Sequence, residues 1–316
     1  MGGVASSLAW LVLMSGVASA QQYPSRPVEM IIPFTAGSGL DVNGRTIAAS
    51  LSKELKKPVV VMNRDGAAGT IGFGALASSP SDGQTIGFGP TTPISNAPYL
   101  IKGVKYNASS FSYICQMFET VFVVAVGPTS RFKTAADVLQ AAKEKPNSVT
   151  YGTAGLGTVP HLSMANIGQE LGLEFQLVPY RGDALLLPAL LRNEIDLAIT
   201  AIATIREHPG IRVLAVFDDA RNDAYPDVPI AKELGIKRSV PPGQIGLYGP
   251  KGLSAPVEDA LNKACAGAAK DPDVLRLITT TGQRPKYLTG AEYRQNTIDD
   301  YKFKGNLIKS LGLLNQ

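Results

Sequence analysis

Short apolar runs rich in valine, isoleucine and phenylalanine alternate along the chain with longer segments whose apolar residues recur at helical spacing. Residues 41–56 show the second pattern, with Ile47, Leu51 and Leu55 on one face and polar residues on the other. Such alternation is typical of βα units and a parallel sheet. In the first part of the chain it predicts strands at Val28–Phe34, Val59–Met62, Thr85–Gly89 and Ser112–Phe118.

The alternation begins again near residue 121, with a helix predicted at Ala135–Glu144. Two series of βα units in one chain indicate two α/β domains of similar design. The strands predicted for the second series are Val121–Val126, Val149–Tyr151, Phe175–Val178, Asp196–Ile199 and Val213–Phe217. A further strand is predicted at Gln244–Tyr248, followed by helices at 257–270 and 292–312.

Composition and charge exclude several partners. The chain has 316 residues, 18% of them charged, and a formal net charge of +4. The Lys and Arg residues are scattered, whereas nucleic-acid-binding proteins concentrate them on one face. The Cys residues are Cys115 and Cys265, which could form a disulfide or remain as two buried thiols. Because neither they nor His161 and His208 are closely spaced, we predict no metal site and no cofactor.

The first twenty residues carry no charge. An apolar stretch, Leu8–Val17, precedes Ala18-Ser19-Ala20, which has the small-x-small pattern of a signal-peptidase site. We therefore expect residues 1–20 to be a signal peptide and the protein to be periplasmic, although no Lys or Arg precedes the apolar stretch. A buried N-terminal helix is the alternative.

Two glycine-rich loops each follow a predicted strand and precede a predicted helix. The first contains "FTAGSGLD", residues 34–41, and the second contains "GTAGLGT", residues 152–158. Glycine lets the backbone approach a ligand closely, and the first N–H groups of a helix have no intrahelical acceptor. Such a site can bind a carboxylate without a Lys or Arg side chain. The alternative is a plain helix N-terminus capped by Ser38 or Asp41 in the first loop and by Thr158 in the second.

Nucleotide-binding and hydrolase motifs are absent from the sequence. "GSGLDVNG" does not fit G-x-G-x-x-G, and neither G-x-x-x-x-G-K-[ST] nor G-x-S-x-G occurs. His161 could be a catalytic base of a secreted hydrolase, with Ser38 or Asp41, but no triad can be assembled around it. We expect His161 to pack or to hydrogen-bond near the cleft, and the protein not to be an enzyme.

Several segments resemble the periplasmic solute-binding subunits of tripartite tricarboxylate transporters, the Bug family. They run in order through the chain and include "IIPFTAGSGLD", "SPSDGQTIGFGP", "VTYGTAGLGTVPHL" and "VPYRGDALLLPALLRNEIDLAI". The resemblance implies a two-domain type II periplasmic-binding-protein fold of the Venus-flytrap kind. It also implies that residues 21–120 and 243–316 form one domain and residues 121–242 the other, with the ligand cleft between them.

The resemblance further implies which residues bind the ligand. The first loop matches over Phe34 to Asp41, although Ser38 replaces a usual Gly and Gly39 and Leu40 replace small hydroxyl residues. In the second loop Leu156 replaces a frequent Asn. Further along the chain, Asp183 stands where the family commonly has Ser. The full set of expected ligand-binding residues is Phe34, Thr35, Ala36, Gly37, Ser38, Gly39, Asp41, Thr91, Thr92, Thr153, Ala154, Gly155, Gly157, Thr158, His161, Arg181, Asp183 and Ala201.

For two of these residues the sequence leaves two roles open. Asp183 could enter the cleft and accept from an ammonium or hydroxyl group, or it could be solvated or cap a helix. Arg181 could pair with a distal carboxylate of the ligand or form a surface salt bridge. Leu40, Leu156, Ala201 and Ile202 would make the pocket apolar, which favours an aromatic carboxylate or an aliphatic dicarboxylate.

The expected function is therefore that of a monomeric binding protein. It would capture a small organic carboxylate between its domains and deliver it to the membrane permease of a tripartite tricarboxylate transporter. The alternative with the same fold is a periplasmic sensor that passes the ligand signal to a receptor.

Overall fold

The computed structural model describes residues 23–206, 208–218 and 220–314, so the predicted signal peptide lies outside the described residues. The strands in these ranges are β1 (Val28–Ile32), β2 (Val59–Asn63), β3 (Thr85–Pro90), β4 (Phe111–Thr120), β5 (Phe122–Val126), β6 (Thr150–Thr153), β7 (Gln176–Pro179), β8 (Leu197–Ala201), β9 (Arg212–Phe217), β10 (Gly243–Pro250) and β11 (Arg284–Thr289).

The helices pack around the sheets. They are α1 (Gly39–Leu55), α2 (Thr70–Ala77), α3 (Thr92–Ser95), α4 (Ala97–Leu100), α5 (Ala135–Glu144), α6 (Val159–Leu171), α7 (Asp183–Leu191), α8 (Ile202–Ile205), α9 (Ala255–Ala268), α10 (Pro272–Thr280) and α11 (Gly290–Ser310), with short 3₁₀ segments at Ala67–Gly69 and Ala231–Leu234. No helix in the described ranges is both long and apolar enough to cross a membrane.

Two mixed sheets form the cores of two domains, which confirms the predicted two-domain α/β fold. The first sheet has the order β11-β4-β10-β3-β1-β2 and the second the order β7-β6-β8-β5-β9. Strands β1, β2 and β3 run parallel, as do β6, β7 and β8. Strands β4, β10 and β11, and likewise β5 and β9, pair antiparallel, so the parallel arrangement indicated by the βα alternation holds for only part of each sheet.

The antiparallel strands arise where the chain passes between the sheets. It leaves the first sheet at the end of β4 and enters the second at β5, and it returns through residues 241–243 into β10. Gly243 pairs with Thr120, so both crossings lie side by side. Because β10 begins where β3 and β4 end, it must run opposite to β3. The carboxyl ends of β1 and β3 therefore face the carboxyl ends of β6 and β8.

A cluster of ion pairs lies beside these crossings, and one of the pairs, Arg284 with Asp218, joins the two domains. The guanidinium of Arg284 on β11 contacts both Glu119, near the end of β4, and Asp218, directly after β9. The ammonium of Lys286 lies 2.8 Å from the other oxygen of Glu119. Both carboxylates are buried, so Arg284 and Lys286 supply the opposite charge that buried carboxylates require.

Side-chain caps fix where the main helices begin. Ser38 caps α1 by accepting from the Asp41 N–H, and Thr158 caps α6 by accepting from the His161 N–H. Thr134 and Thr289 form capping boxes at α5 and α11. Serine and threonine caps are worth about 1 kcal/mol each. These local signals explain why the bounds of the predicted helices agree closely with the structure.

Other elements were not predicted because they lack a clear period. Helices α2 and α7 are apolar over most of their length, and α7 contains Pro188. A segment that is apolar on every side shows no stripe at helical spacing. Strand β11 and helix α10 were not predicted for a different reason, because each is short and β11 lies at the edge of its sheet, although α10 buries Val274 and Ile278 one turn apart.

A disulfide joins Cys115 on β4 to Cys265 on α9, with the Cα atoms 6.4 Å apart. Both residues are buried in the core of the first domain, where α1, α9 and α10 cover the sheet. The bond spans 150 residues of sequence, which include the whole second sheet. It therefore ties the early part of the first domain to the part that returns after the second.

Reduction of this disulfide is expected to lower the free energy of unfolding by about 2–5 kcal/mol, because a long loop is no longer closed in the unfolded chain. The measurement is urea unfolding with and without a reductant. The double variant Cys115→Ala, Cys265→Ala is the control, since its unfolding should not respond to reductant. An unchanged wild-type curve in the presence of reductant would contradict the expectation.

Candidate ligand-binding site

A cavity of about 560 Å³ lies between the two sheets, where the facing strand ends meet. This volume is within the range of small-molecule sites. The lining residues are Phe34, Ser38, Gly39, Leu40, Asn43, Ala68, Pro90, Thr92, Pro93, Phe118, Thr120, Phe122, Ala154, Thr158, Val159, Pro160, Asp183, Thr200, Ala201, Ala203, Gly243, Ile245, Thr281 and Gln283.

The wall of this cavity is mainly apolar. Phenylalanine, proline, alanine and aliphatic side chains come from both domains, and the polar groups are hydroxyls, two amides and one carboxylate, that of Asp183. No Lys, Arg or His is among the lining residues. A negatively charged ligand would therefore have to be bound by backbone N–H groups, hydroxyls and amides.

The first loop brings the N-terminus of α1 to the cavity. Ser38 and Gly39, which line it, are the cap and first residue of that helix. The N–H groups of Gly39 and Leu40 have no intrahelical acceptor and make no hydrogen bond within the described part of the chain. They are donors at the positive end of the helix dipole, which suits a carboxylate.

Asp41 holds this loop in place from behind. Its carboxylate accepts hydrogen bonds from the Arg45 guanidinium at 2.9 Å, the Gly37 N–H at 2.8 Å and the Asn63 amide at 2.8 Å. The Arg45 hydrogen bond is the main reason why the pKa of Asp41 falls to about 2, and the bonds from Gly37 and Asn63 lower it further against the opposing effect of burial. Asp41 does not line the cavity, and its carboxylate is held by these three hydrogen bonds.

The second loop presents the N-terminus of α6. Thr158 lines the cavity and donates to the Gly155 carbonyl at 2.8 Å, while Thr153 donates to the same carbonyl at 3.0 Å. Val159, the first residue of α6, also lines the cavity, and its N–H has no intrahelical acceptor. The loop is thus ordered by its own hydroxyl groups.

Contacts from the first domain support the second loop. The Asn96 amide donates to the Gly157 carbonyl at 2.7 Å, and a Cβ at Gly157 would collide with the Leu100 side chain. Gly157 has a φ of 67°, which favours glycine on backbone grounds as well. This glycine permits the close approach of the two domains next to the cavity.

His161 is a structural residue of the second loop. It is buried, and its Nδ1 accepts from the Gly157 N–H at 2.9 Å. Burial lowers the pKa of its imidazole, which favours the neutral ring that can accept this bond. His161 does not line the cavity.

Asp183 is the first residue of α7 and faces the cavity. One carboxylate oxygen accepts from the Thr200 hydroxyl at 2.9 Å and the other from the Thr204 hydroxyl at 3.3 Å. Of the two alternatives left open by the sequence, the structure therefore shows Asp183 facing the cleft while it also occupies a helix end.

The structure divides the expected ligand-binding residues into two groups. Those that line the cavity are Phe34, Ser38, Gly39, Thr92, Ala154, Thr158, Asp183 and Ala201. Those that do not are Thr35, Ala36, Gly37, Asp41, Thr91, Thr153, Gly155, Gly157, His161 and Arg181. Arg181 is exposed, whereas Thr91 is fully buried.

Of the four apolar residues assigned to the pocket from the sequence, two line the cavity and two do not. Leu40 and Ala201 line the cavity. Leu156 does not and is 54% exposed, and Ile202 is buried outside it. Phe118, Phe122 and the prolines add most of the remaining apolar surface of the wall.

Sequence reasoning missed the lining residues that come from the crossings and from the last part of the chain. Thr120, Phe122 and Gly243 belong to the crossings, and the prolines before Gly243 were the one local signal for them. Asn43 is one of several polar residues on α1, and Gln283 follows a surface helix. No local pattern separates these two from solvent-exposed residues.

Comparisons with known proteins agree with one another. The family model described as "Tripartite tricarboxylate transporter family receptor" matches residues 44–313. A Cupriavidus necator protein named "UPF0065 protein in gbd 5'region" is 31% identical over 315 residues, which cover 98% of this chain and 96% of that relative.

Two solved structures also align over most of the chain. A TctC solute-binding protein from Polaromonas, solved without ligand, has a TM-score of 0.81 and 27% identity over 91% of this chain and 99% of its own. A protein from R. palustris, solved with adipate, has a TM-score of 0.78 and 24% identity over 93% of this chain and 100% of its own.

Replacement of Asp41 by Asn is expected to lower the free energy of unfolding at pH 7 by about 1.5–3 kcal/mol, as the hydrogen bonds to a charged group are weakened. Because the pKa of Asp41 is lower in the folded protein than its ordinary value of 3.8, this stabilisation is present above pH 4 and is lost as the pH falls to about 2.

The measurement is urea unfolding of the wild type and Asp41→Asn at pH 7, 4 and 2.5. The difference between the two proteins should be nearly the same at pH 7 and pH 4 and much smaller at pH 2.5. A difference that is constant across this range would show that the charge of Asp41 does not stabilise the loop.

Proposed function

Since the chain belongs to the tripartite tricarboxylate transporter receptor family, we propose that it captures a small organic carboxylate in the cavity between its two domains. The family is one of periplasmic solute-binding proteins and not of enzymes. The single observation that supports the proposal best is the convergence of two capped helix N-termini, those of α1 and α6, on one cavity without Lys, Arg or His.

The geometry supports a carboxylate because the donors are already in place. The backbone N–H groups of Gly39, Leu40 and Val159 and the hydroxyls of Ser38 and Thr92 border one space. Each hydrogen bond to a charged acceptor contributes about 1.5–3 kcal/mol, so a few of them give micromolar affinity, about 8 kcal/mol.

The apolar wall supports a ligand with an apolar body. Phe34, Phe118 and Phe122 border the cavity together with several prolines, whereas a hydroxylated tricarboxylate would leave polar groups against them. An aromatic carboxylate or an aliphatic acid fits this wall better. Closure of the two domains around the crossings would remove the ligand from water.

The proposed location and partner follow from the family. Residues 1–20, with the pattern of a signal peptide, would direct export to the periplasm. There the monomeric protein would deliver its ligand to the membrane permease of a tripartite tricarboxylate transporter.

Replacement of Gly39 by Pro tests the helix end directly. Proline at the first helical position removes one N–H donor that α1 does not use, and it preserves the helix. Ser38 has φ −67° and ψ 158°, the conformation favoured before proline. We expect carboxylate affinity to fall about tenfold to hundredfold, with an unchanged melting temperature.

The matched control is Gly39→Ala, which keeps the N–H, and its Cβ would meet no atom within 4 Å. Titration calorimetry of both variants should use the tightest binder from a thermal-shift screen of mono-, di- and tricarboxylates, aromatic and aliphatic. If Gly39→Pro binds as tightly as Gly39→Ala, the end of α1 does not hold the carboxylate. If citrate is the tightest binder, the proposal of an apolar ligand body fails.

The transport role is tested by uptake. A strain that lacks the gene should lose most saturable uptake of the radiolabelled acid identified in that screen. Plasmid-borne wild type should restore uptake, and Gly39→Pro should restore it only at higher external concentrations. Unchanged uptake in the deletion strain would argue for a sensor role.

A further inference from the structure

We propose that Asp183 is the specificity-determining residue of this cavity and that it binds the ammonium group of the ligand. The ligand would then be a zwitterion, with its carboxylate at the helix ends of α1 and α6 and a protonated amine against Asp183. This inference rests on the proposed capture of a carboxylate and adds what the other end of the ligand must carry.

Asp183 is built to accept a further donor. The Thr200 and Thr204 hydroxyls occupy one position on each carboxylate oxygen and fix the orientation of the group. An ionised carboxylate has about four acceptor positions, so about two remain for a ligand. Thr200 is itself buried, which keeps the carboxylate in one place before any ligand arrives.

The charge balance of the cavity points to a cation at this position. Asp183 is the one ionisable residue among those that line the cavity. It forms none of the salt bridges found in the described ranges of the chain. A carboxylate in a mainly apolar wall without an opposite charge favours a positively charged ligand group and disfavours a negative one.

The helix geometry strengthens this argument. The N-terminus of α7 is a third helix end that borders the cavity, and it could have held a second carboxylate of the ligand. Here the protein's own Asp183 carboxylate occupies that end. A dicarboxylate would bring a second anion next to it, whereas an ammonium group would neutralise it.

Two amide side chains in the same wall, those of Asn43 and Gln283, have a fully buried oxygen. Asn43 is 4% exposed, and its Oδ1 has no hydrogen-bond partner within the described chain; the same holds for Oε1 of Gln283. Buried acceptors without donors are rare in folded proteins. Because both oxygens are fully buried, neither is exposed to a ligand in this conformation, so the carboxylate of Asp183 is the charged acceptor that a ligand can reach.

The test compares ligands of equal length that differ only at one end. Titration calorimetry at pH 7 would use 6-aminohexanoate, adipate and 6-hydroxyhexanoate, then the five- and seven-carbon members of the same series. The aromatic members are 4-(aminomethyl)benzoate and benzene-1,4-dicarboxylate. The wild type should bind the best amino acid at least tenfold more tightly than the matching dicarboxylate.

Asp183→Asn and Asp183→Ser should lose most of this preference, with the amino acid weakened at least tenfold and the dicarboxylate unchanged or tighter. Two substitutions are used so that one misfolded variant does not decide the result, and each is checked by its melting temperature. The matched control is Asp259→Asn, which removes the same charge from the exposed face of α9 and should not change the preference.

Each contrary outcome has a distinct meaning. Tighter binding of the dicarboxylates, with no effect of Asp183→Asn, would overturn the role of Asp183 and leave carboxylate capture intact. Tighter binding of the hydroxy acid than of the amino acid would overturn the ammonium assignment. Failure of every carboxylate to bind would overturn this inference and the proposed function together.

Discussion

The two crossings of the chain between the sheets constrain everything else in this molecule. Gly243 pairs with Thr120, so the outgoing and returning segments are neighbours in one ladder. Because the chain enters and leaves the second domain at one place, the strand ends of both sheets are brought to the same space. Phe122 and Gly243 from the crossings line the cavity, and Arg284 bridges Glu119 and Asp218 beside them. The crossings between the domains and one part of the cavity wall thus share the same residues.

A site that lacks cationic side chains depends on backbone donors, and these must be held rigidly. In the first loop Asp41 does this with its bonds to Gly37 and Asn63. In the second loop Thr158 and His161 do it with bonds to Gly155 and Gly157. Several residues that the family pattern suggests as ligand contacts are therefore placed behind the cavity, where they order the N–H groups. The residues behind the cavity thus preorganise the N–H donors, and donors that are fixed before binding lose little entropy when the ligand arrives.

The cavity combines unlike features that together restrict its ligand. Helix ends provide partial positive charge, phenylalanines and prolines provide an apolar wall, and Asp183 provides a negative charge held by Thr200 and Thr204. Such a cavity discriminates between ligands in two ways. It attracts ligand groups that match its wall, and it disfavours ligands that would bury a polar or charged group without a partner. The family resemblance implied the two loops, whereas the phenylalanine and proline wall and the bonds from Thr200 and Thr204 to Asp183 are visible only in the structure.

The sequence by itself determined the features that depend on neighbouring residues. Apolar runs, helical spacing and Ser or Thr caps predicted most strands and the long helices, and the two glycine-rich loops predicted where an anion could bind. Helices α2 and α7 were not predicted, because they are apolar on most sides and so show no apolar stripe at helical spacing. Only the tertiary structure decided that Asn43, Phe118 and Gln283 share a cavity, that Cys115 meets Cys265, and that Asp183 faces the ligand space. Such contacts join residues that are far apart in the chain, and a local sequence pattern does not show which distant residues come together in the fold.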